Sequence, residues 1–314
     1  MNLIKKGYIF NTDGRYEWSS SHACGPTVNI VNDKVWRIYY STRDGANHSR
    51  PSYLEVEAGN PEHILYVHNN FLFDLGKIGT FDDCGITISS ICDVADKKYM
   101  YYLGWTVRNT VSYHNSMGLA ISDDGGKTFG KFSEGPLLQP TYKEPYCNGA
   151  TYTLKDGDLF RLYYTSFEGW EVHNNHPEPV YNIKYAESMN GIDWERNQIV
   201  SVPFLEGKTG GIARPSVIKE RNDFFRMWYT YRDAADYRTN KAHSYRIGYA
   251  ESSDGKTFFR MDDKAGVDIS PLETDWDGIM QTYPCVVKHN GLYWMFYNGN
   301  GFGKSGFGYA LLGE

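Results

Sequence analysis

The sequence predicts an all-β fold, a β-propeller of five four-stranded antiparallel blades, with residues 1–314 forming one domain. Three observations carry this. A hairpin pattern recurs five times at near-constant spacing, a strand-and-turn segment follows most copies, and no segment keeps apolar residues in helical register for more than two turns.

The hairpins are CGPTVNIVNDKVWRIYYSTRD at 24–44, CGITISSICDVADKKYMYYLGW at 84–105, CNGATYTLKDGDLFRLYYTSFE at 147–168, ARPSVIKERNDFFRMWYTYRD at 213–233 and YPCVVKHNGLYWMFYNGN at 283–300. Each joins a run of small and β-branched residues to an alternating aromatic run through a polar or Gly-containing turn, which is a hairpin signature. Their starts are 60, 63, 66 and 70 residues apart. Clear copies of the second piece are GLAISDDGGKTFGKF at 118–132, IKYAESMNGIDWERN at 183–197 and IGYAESSDGKTFFRM at 247–261, with a degenerate copy near Tyr53–Tyr66. Their Ser-x-Asp/Asn-Gly segments are turns, because Gly and Asn accept positive φ and the Ser and Asp side chains bond the local backbone. Two hairpins make four strands. The last unit ends early, at GFGYALLGE, and Lys5–Asn11 is expected to supply its outer strand and leave no free edge.

A pair of stacked sandwiches does not explain a motif that recurs five times. A six-bladed sialidase is the weaker alternative, since the full S-x-D-x-G-x-T-aromatic box occurs only at Ser122–Phe129.

Composition removes several function classes. Net charge is −6 with neither sign gathered into a block, so no nucleic-acid partner is expected. Apolar runs fall well short of a membrane span, and the amino terminus lacks the apolar stretch of a secretory signal, so the expectation is a soluble, cytoplasmic protein. Cys24, Cys84, Cys92, Cys147 and Cys285 are odd in number and never paired as C-x-x-C, which points to reduced, packed thiols. Oligomeric state is left open.

The residue that opens each inner strand and the residue that closes its neighbour share one face of the disc. Openers are Ser21, His22, Cys24 and Gly25; Asp82 and Asp83; Glu144 and Asn148; Arg214; and Asp277 with Tyr283. Closers are Arg43 and Asp44; Trp105; Glu168 and Trp170; Arg232 and Asp233; and Asn298 with Asn300. Aromatic planes, carboxylates and arginines together suit a carbohydrate, with rings packed on sugar faces and charged groups bonded to hydroxyls or acid groups. Arg43-Asp44 echoes Arg232-Asp233, a repetition that equally suits blade-to-blade ion pairs. The HNNH stretch at 173–176 reads as a solvated loop, with no third ligand at metal-site spacing.

The repeats, the Ser-x-Asp-Gly turns and the openers FDDCGI, ARPSV and WDGIMQTYP resemble the five-bladed propeller glycoside hydrolases, the clan of arabinosidases, xylosidases, fructosidases and related mannoside phosphorylases. The resemblance implies three funnel acids: an Asp opening blade one as base or nucleophile, an Asp opening blade two as pKa modulator or transition-state stabiliser, and a Glu opening blade three as general acid. The first falls on Gly25-Pro26, leaving His22 as the nearest ionisable group. The second falls on Asp82, with Asp83 beside it, and the third on Asn148-Gly149-Ala150, leaving Glu144 upstream.

The expected catalytic residues are therefore Asp82, Asp83 and Glu144. His22, Arg43, Trp105, Glu168, Trp170, Arg214, Arg232, Asp277 and Tyr283 are expected to bind a carbohydrate or sugar-derivative substrate. A phosphorylase would need one acid, with phosphate held by Arg and His. A propeller that binds sugar without cutting it, in polysaccharide production, is the reading from another class. Some relatives hold calcium in the funnel; no metal or cofactor is assigned here.

Overall fold

The computed structural model describes residues 2–313. Its strands fall into five antiparallel four-stranded units. Strand β1 (Asn2–Phe10) opens the chain and is followed by unit one: β2 (Ser21–Ile30), β3 (Val35–Arg43), β4 (Ser49–Glu57) and β5 (Asn60–Val67). Unit two is β6 (Gly85–Val94), β7 (Lys97–Val107), β8 (Tyr113–Ser122) and β9 (Gly130–Lys131). Unit three is β10 (Asn148–Asp156), β11 (Leu159–His173), β12 (His176–Ser188) and β13 (Glu195–Val202). Unit four is β14 (Gly210–Arg221), β15 (Phe224–Asp233), β16 (Arg246–Ser252) and β17 (Phe259–Arg260). Strands β18 (Thr282–His289), β19 (Leu292–Asn298) and β20 (Phe307–Gly313) form the fifth unit, and β1 pairs antiparallel with β20 as its outer strand. Single parallel bridges, Ser49 to Gly85 and Tyr181 to Gly211, join units one to two and three to four.

An aromatic doublet in the second strand of each unit organises the packing. The doublets are Tyr39-Tyr40, Tyr101-Tyr102, Tyr163-Tyr164, Trp228-Tyr229 and Phe296-Tyr297. Successive residues of a strand point to opposite faces, so the first ring packs toward the following unit and the second toward the preceding one. Tyr39 sits with Ile88 and Met100, while Tyr40 sits with Trp294 and Phe296. The same division recurs around the molecule and gives five cores, each shared by two consecutive units. One of them joins unit five to unit one, so the succession is cyclic. Each buried ring contributes about 1.5–3 kcal/mol of apolar transfer.

The Ser-x-Asp/Asn-Gly turns receive this packing. Ser122 accepts the Gly126 N–H, and Asp124 accepts the N–H groups of Lys127 and Thr128. Ser188 with Asn190 and Ser252 with Asp254 repeat the arrangement. The carbonyl so exposed takes the hydroxyl of the previous unit's first doublet tyrosine: Tyr39 donates to Gly126 (2.7 Å), Tyr101 to Gly191 (2.9 Å) and Tyr163 to Gly255 (2.7 Å). A Cβ on Gly126 would lie 2.2 Å from the Tyr39 hydroxyl, and the residue has φ of +86°, so glycine is required twice over. Units four and five are followed by units without this turn, and there the doublet begins with Trp228 and Phe296, which have no hydroxyl to place.

The HNNH stretch is not a loop insertion. Strands β11 and β12 continue to a two-residue turn at Asn174 and Asn175, both left-handed, with His173 opposite His176. Two consecutive left-handed residues are the type I′ requirement, which asparagine meets.

Candidate functional site

Antiparallel register places the openers and closers at one end. Ser21 faces Arg43, Gly85 faces Trp105, Asn148 faces Ser166, Gly211 faces Arg232 and Thr282 faces Asn298. All five inner strands carry a register shift close to this end. His22 (φ 65°), Arg214 (φ 53°) and Tyr283 (φ 58°) are left-handed there, as is Gly25 (φ 66°). Gly25, Arg214 and Tyr283 each precede a proline. Non-glycine residues held in this region carry strain, and bulges of this kind re-aim side chains beside functional sites.

The carboxylates expected to work at this end are buried and ion-paired. The second tyrosine of the doublet donates to a carboxylate in four units: Tyr102 to Asp82 (3.1 Å), Tyr164 to Glu144 (2.9 Å), Tyr229 to Asp262 and Tyr297 to Asp277 (3.0 Å). A cation from the unit's outer strand completes each group: Lys131 on Asp82 (2.6 Å), Arg196 on Glu144 (2.8 Å), Arg260 on Asp262 and Lys5 on Asp277 (2.6 Å). Asp82, Glu144 and Asp277 are 2 %, 5 % and 1 % exposed. Burial opposes ionisation of Asp277, but its bonds from Lys5, Gln281 and Ser270 hold the carboxyl below its usual pKa. A carboxylate that recurs at the same packing position, under the same tyrosine and neutralised from the same strand, holds the unit together. In unit one Tyr40 meets the Ser52 hydroxyl instead.

Arg214 is also withdrawn. Its guanidinium donates to the carbonyls of Ile88 (2.5 Å) and Gly25 (3.2 Å) and to the Thr27 hydroxyl (2.8 Å), crossing the axis from unit four to units one and two. Arg232 donates to the carbonyls of Asp233 (2.8 Å) and Pro179, with its guanidinium over the rings of Tyr181 and Tyr237. Asp44 closes a turn to Ala46 and His48 and pairs with Arg50, and Asn300 accepts the N–H groups of Ile279 and Met280. Asn298 bonds Gly25 N, Ala23 O and Gly306 O, fastening unit five to unit one.

What remains at the face is an aromatic wall with a basic head. Trp105, Tyr113, Trp170, Phe167 and Tyr181 follow one another with ring centroids 5.0–5.9 Å apart, and Tyr181 and Tyr245 join through their hydroxyls at 2.6 Å. Phe302 packs on Tyr245 (5.6 Å). Trp105, Tyr113, Trp170 and Phe302 are half-buried, leaving ring surface to solvent. At unit one His22 bonds Ser21 (2.9 Å), and burial followed by the positive charges of Arg43 and Lys304 presses its pKa down to about 4. Arg43 also acts on Tyr283, whose burial raises its own pKa. Glu168, Asp83 and Asp233 are carboxylates near this end, Asp233 with His243 at 3.9 Å. Glu168 is half-exposed and pairs with Lys184 at 3.0 Å; Asp83 accepts the Gly79 N–H at 2.9 Å, and its other oxygen is buried without a partner.

The reading from sequence missed Tyr113, Tyr181, Tyr245, Phe302 and Lys304. All five lie outside the five repeated hairpins; Tyr113, at the start of β8, held a signal in its place opposite Val107 at the end of the second strand. Among the described residues no three His, Cys, Asp or Glu side chains gather as metal ligands, and no helix is long and apolar enough to cross a membrane. All five cysteines are free thiols.

No protein-family model matches the chain. Uncharacterized protein Rv1502 of Mycobacterium tuberculosis (strain ATCC 25618 / H37Rv) is 34 % identical over 308 residues, covering 98 % of each chain, and Uncharacterized protein MT1551 of strain CDC 1551 / Oshkosh matches to the same extent. The chain belongs to the family of these mycobacterial proteins. Among solved structures it is similar to a thermostable family-43 glycoside hydrolase (TM-score 0.64, 16 % identity, 93 % of this chain and 88 % of that one). It is also similar to the endo-arabinase of Bacteroides thetaiotaomicron VPI-5482 (TM-score 0.56, 10 % identity, 98 % of both) and to the Bombyx mori GH32 beta-fructofuranosidase BmSUC1 (TM-score 0.57, 13 % identity, 99 % and 61 %). This protein of the mycobacterial family thus has the fold of the arabinosidase and fructosidase clan.

Proposed function

We propose that this protein is a five-bladed β-propeller that acts on carbohydrate as a glycosidase-like enzyme, in the funnel where its inner strands begin. The observation that carries the reading is the aromatic wall from Trp105 to Phe302 beside the basic head of His22, Arg43 and Lys304. The half-buried rings of Trp105, Tyr113 and Trp170 suit the apolar faces of pyranose and furanose rings. His22 and the two cations suit sugar hydroxyls or an acid group, and Arg43 offers the planar fork that grips oxyanions. Glu168 and Asp83 are assigned to proton transfer, Glu168 with Lys184 at 3.0 Å.

The test is turnover of a panel of aryl glycosides, with and without inorganic phosphate. Glu168→Gln and Asp83→Asn are expected to lose activity, with Trp170→Ala losing affinity. Wild-type turnover in both carboxylate variants sinks the assignment, and product formation only with phosphate identifies phosphorolysis. A second reading, sugar binding without cleavage, is favoured by Gly25 at the position where the resemblance implies an acid and by the ion-paired burial of Asp82 and Glu144. It predicts saturable binding by calorimetry and no turnover on any substrate.

A further inference from the structure

Behind the funnel, a small cavity on the axis is lined by all five inner strands, through Thr27, Ser90, Tyr152, Arg214, Ser216 and Val286. Arg214 forms its wall, 3 % exposed and held in a left-handed backbone conformation at a bulge. Its recorded hydrogen bonds run to neutral acceptors, two carbonyls and a hydroxyl. The ionisable groups that act on it are Cys285, Cys24 and Tyr283, none of them a carboxylate. A guanidinium buried without an anion is costly, because neutral dipoles replace only part of its hydration. Burial presses its pKa below the usual arginine value, which reports the same shortage.

The cavity wall has hydroxyls with protons to give. Ser90 accepts the Thr153 N–H (3.2 Å) and Ser216 accepts the Val286 N–H (2.9 Å), so each hydroxyl hydrogen is free to turn inward. Ser89, 4 % exposed, lies beside them. One cation, inward-turning donors and little space together describe a receptor for a small monovalent anion. Phosphate or sulfate would bring more charge than Arg214 balances and more bulk than the space allows.

We propose that the central channel holds a halide between the Arg214 guanidinium and the hydroxyls of Ser89, Ser90 and Ser216. The ion would sit where five units meet and tie their inner strands through one charge. It is independent of the proposed sugar site, which shares none of the residues lining this cavity.

Crystals soaked in bromide are expected to show an anomalous peak in the channel, in contact with Arg214. Melting in sodium bromide against sodium gluconate at equal ionic strength is expected to differ by about 2–4 °C in favour of bromide. Arg214→Met should abolish the difference, and Ser216→Ala, which keeps the channel charge, should reduce it if Arg214→Met does not fold. Equal melting in the two salts, or bromide peaks confined to the surface, overturns the proposal and leaves the channel to water.

Discussion

Glu144→Ala separates a carboxylate that builds the fold from one that performs chemistry. In the native protein Glu144 receives Tyr164 (2.9 Å), Arg196 (2.8 Å) and Gln198 (3.0 Å), with Lys184 at 3.6 Å. Removing the acid leaves two cations and a tyrosine hydroxyl facing a cavity. Breaking a buried pair from one side costs about 3–5 kcal/mol. Arg196 and Lys184, 15 % and 9 % exposed, have some route to water, which sets the expectation near the lower end, about 3 kcal/mol. At ~2–4 °C per kcal/mol, the melting temperature falls by roughly 6–12 °C. Glu144→Gln keeps the acceptors and the volume but not the charge, and should cost about half as much. Adding Arg196→Met to Glu144→Ala should restore part of the loss, because the orphaned cation goes with it. Calorimetric melting of the four proteins reads all of this. A Glu144→Ala protein that melts within about 1 °C of wild type refutes the structural role, and the acid would then be free for catalysis.

Three further outcomes follow from the same geometry. The His22 ring should titrate near pH 4 by NMR, and Arg43→Met should raise that value part of the way toward the ordinary ~6.5, since burial is the larger cause; a wild-type value near 6.5 would remove the basic head. Asn298→Ala should cost about 1–3 kcal/mol by stranding Gly25 N–H and the carbonyls of Ala23 and Gly306, and an unchanged melting curve would mean that this fastening contributes nothing. Asp254 sits in a turn where burial opposes its charge, but the N–H groups of Lys256 and Thr257 and the hydroxyls of Ser252 and Thr257 outweigh it and bring its pKa to about 2. Its contribution is complete above the unfolded value of ~3.9 and fades as pH falls toward 2; Asp254→Asn should flatten acid unfolding in that window, and an unaltered acid limb would contradict the assignment.

The repeat was legible because each unit must bury rings on two sides, which writes the aromatic doublet and the glycine turn into every copy. The meeting of openers and closers at one end was legible for a similar reason: antiparallel register forces Arg43 and Trp105 to the end where Ser21 and Gly85 begin. The fate of the acids was not. Lys131, Arg196, Arg260 and Lys5 sit on outer strands whose pairing is short or irregular, so no fixed offset connects them to Asp82, Glu144, Asp262 or Asp277. The doublet itself held the missing signal, since its second tyrosine recurs in all five units and a buried phenol needs an acceptor. Arg214 was misplaced for a different reason. Alternation along a strand predicts direction only while the backbone is regular, and the left-handed step before Pro215 turns this side chain onto the axis.

The pairing of β1 with β20 has a consequence for how the molecule is made. Lys5 bonds Ser270 across 265 residues and neutralises Asp277, so β1 is made well before the residues it pairs with. Until β20 emerges, β1 is an unpaired strand and the fifth unit has an open edge, the kind of surface that recruits other chains. Contacts this distant in sequence form slowly, because the closing loop costs entropy before the sheet returns it. The fifth unit therefore gains its outer strand only after β20 is made, and the Lys5–Asp277 pair forms in the same step.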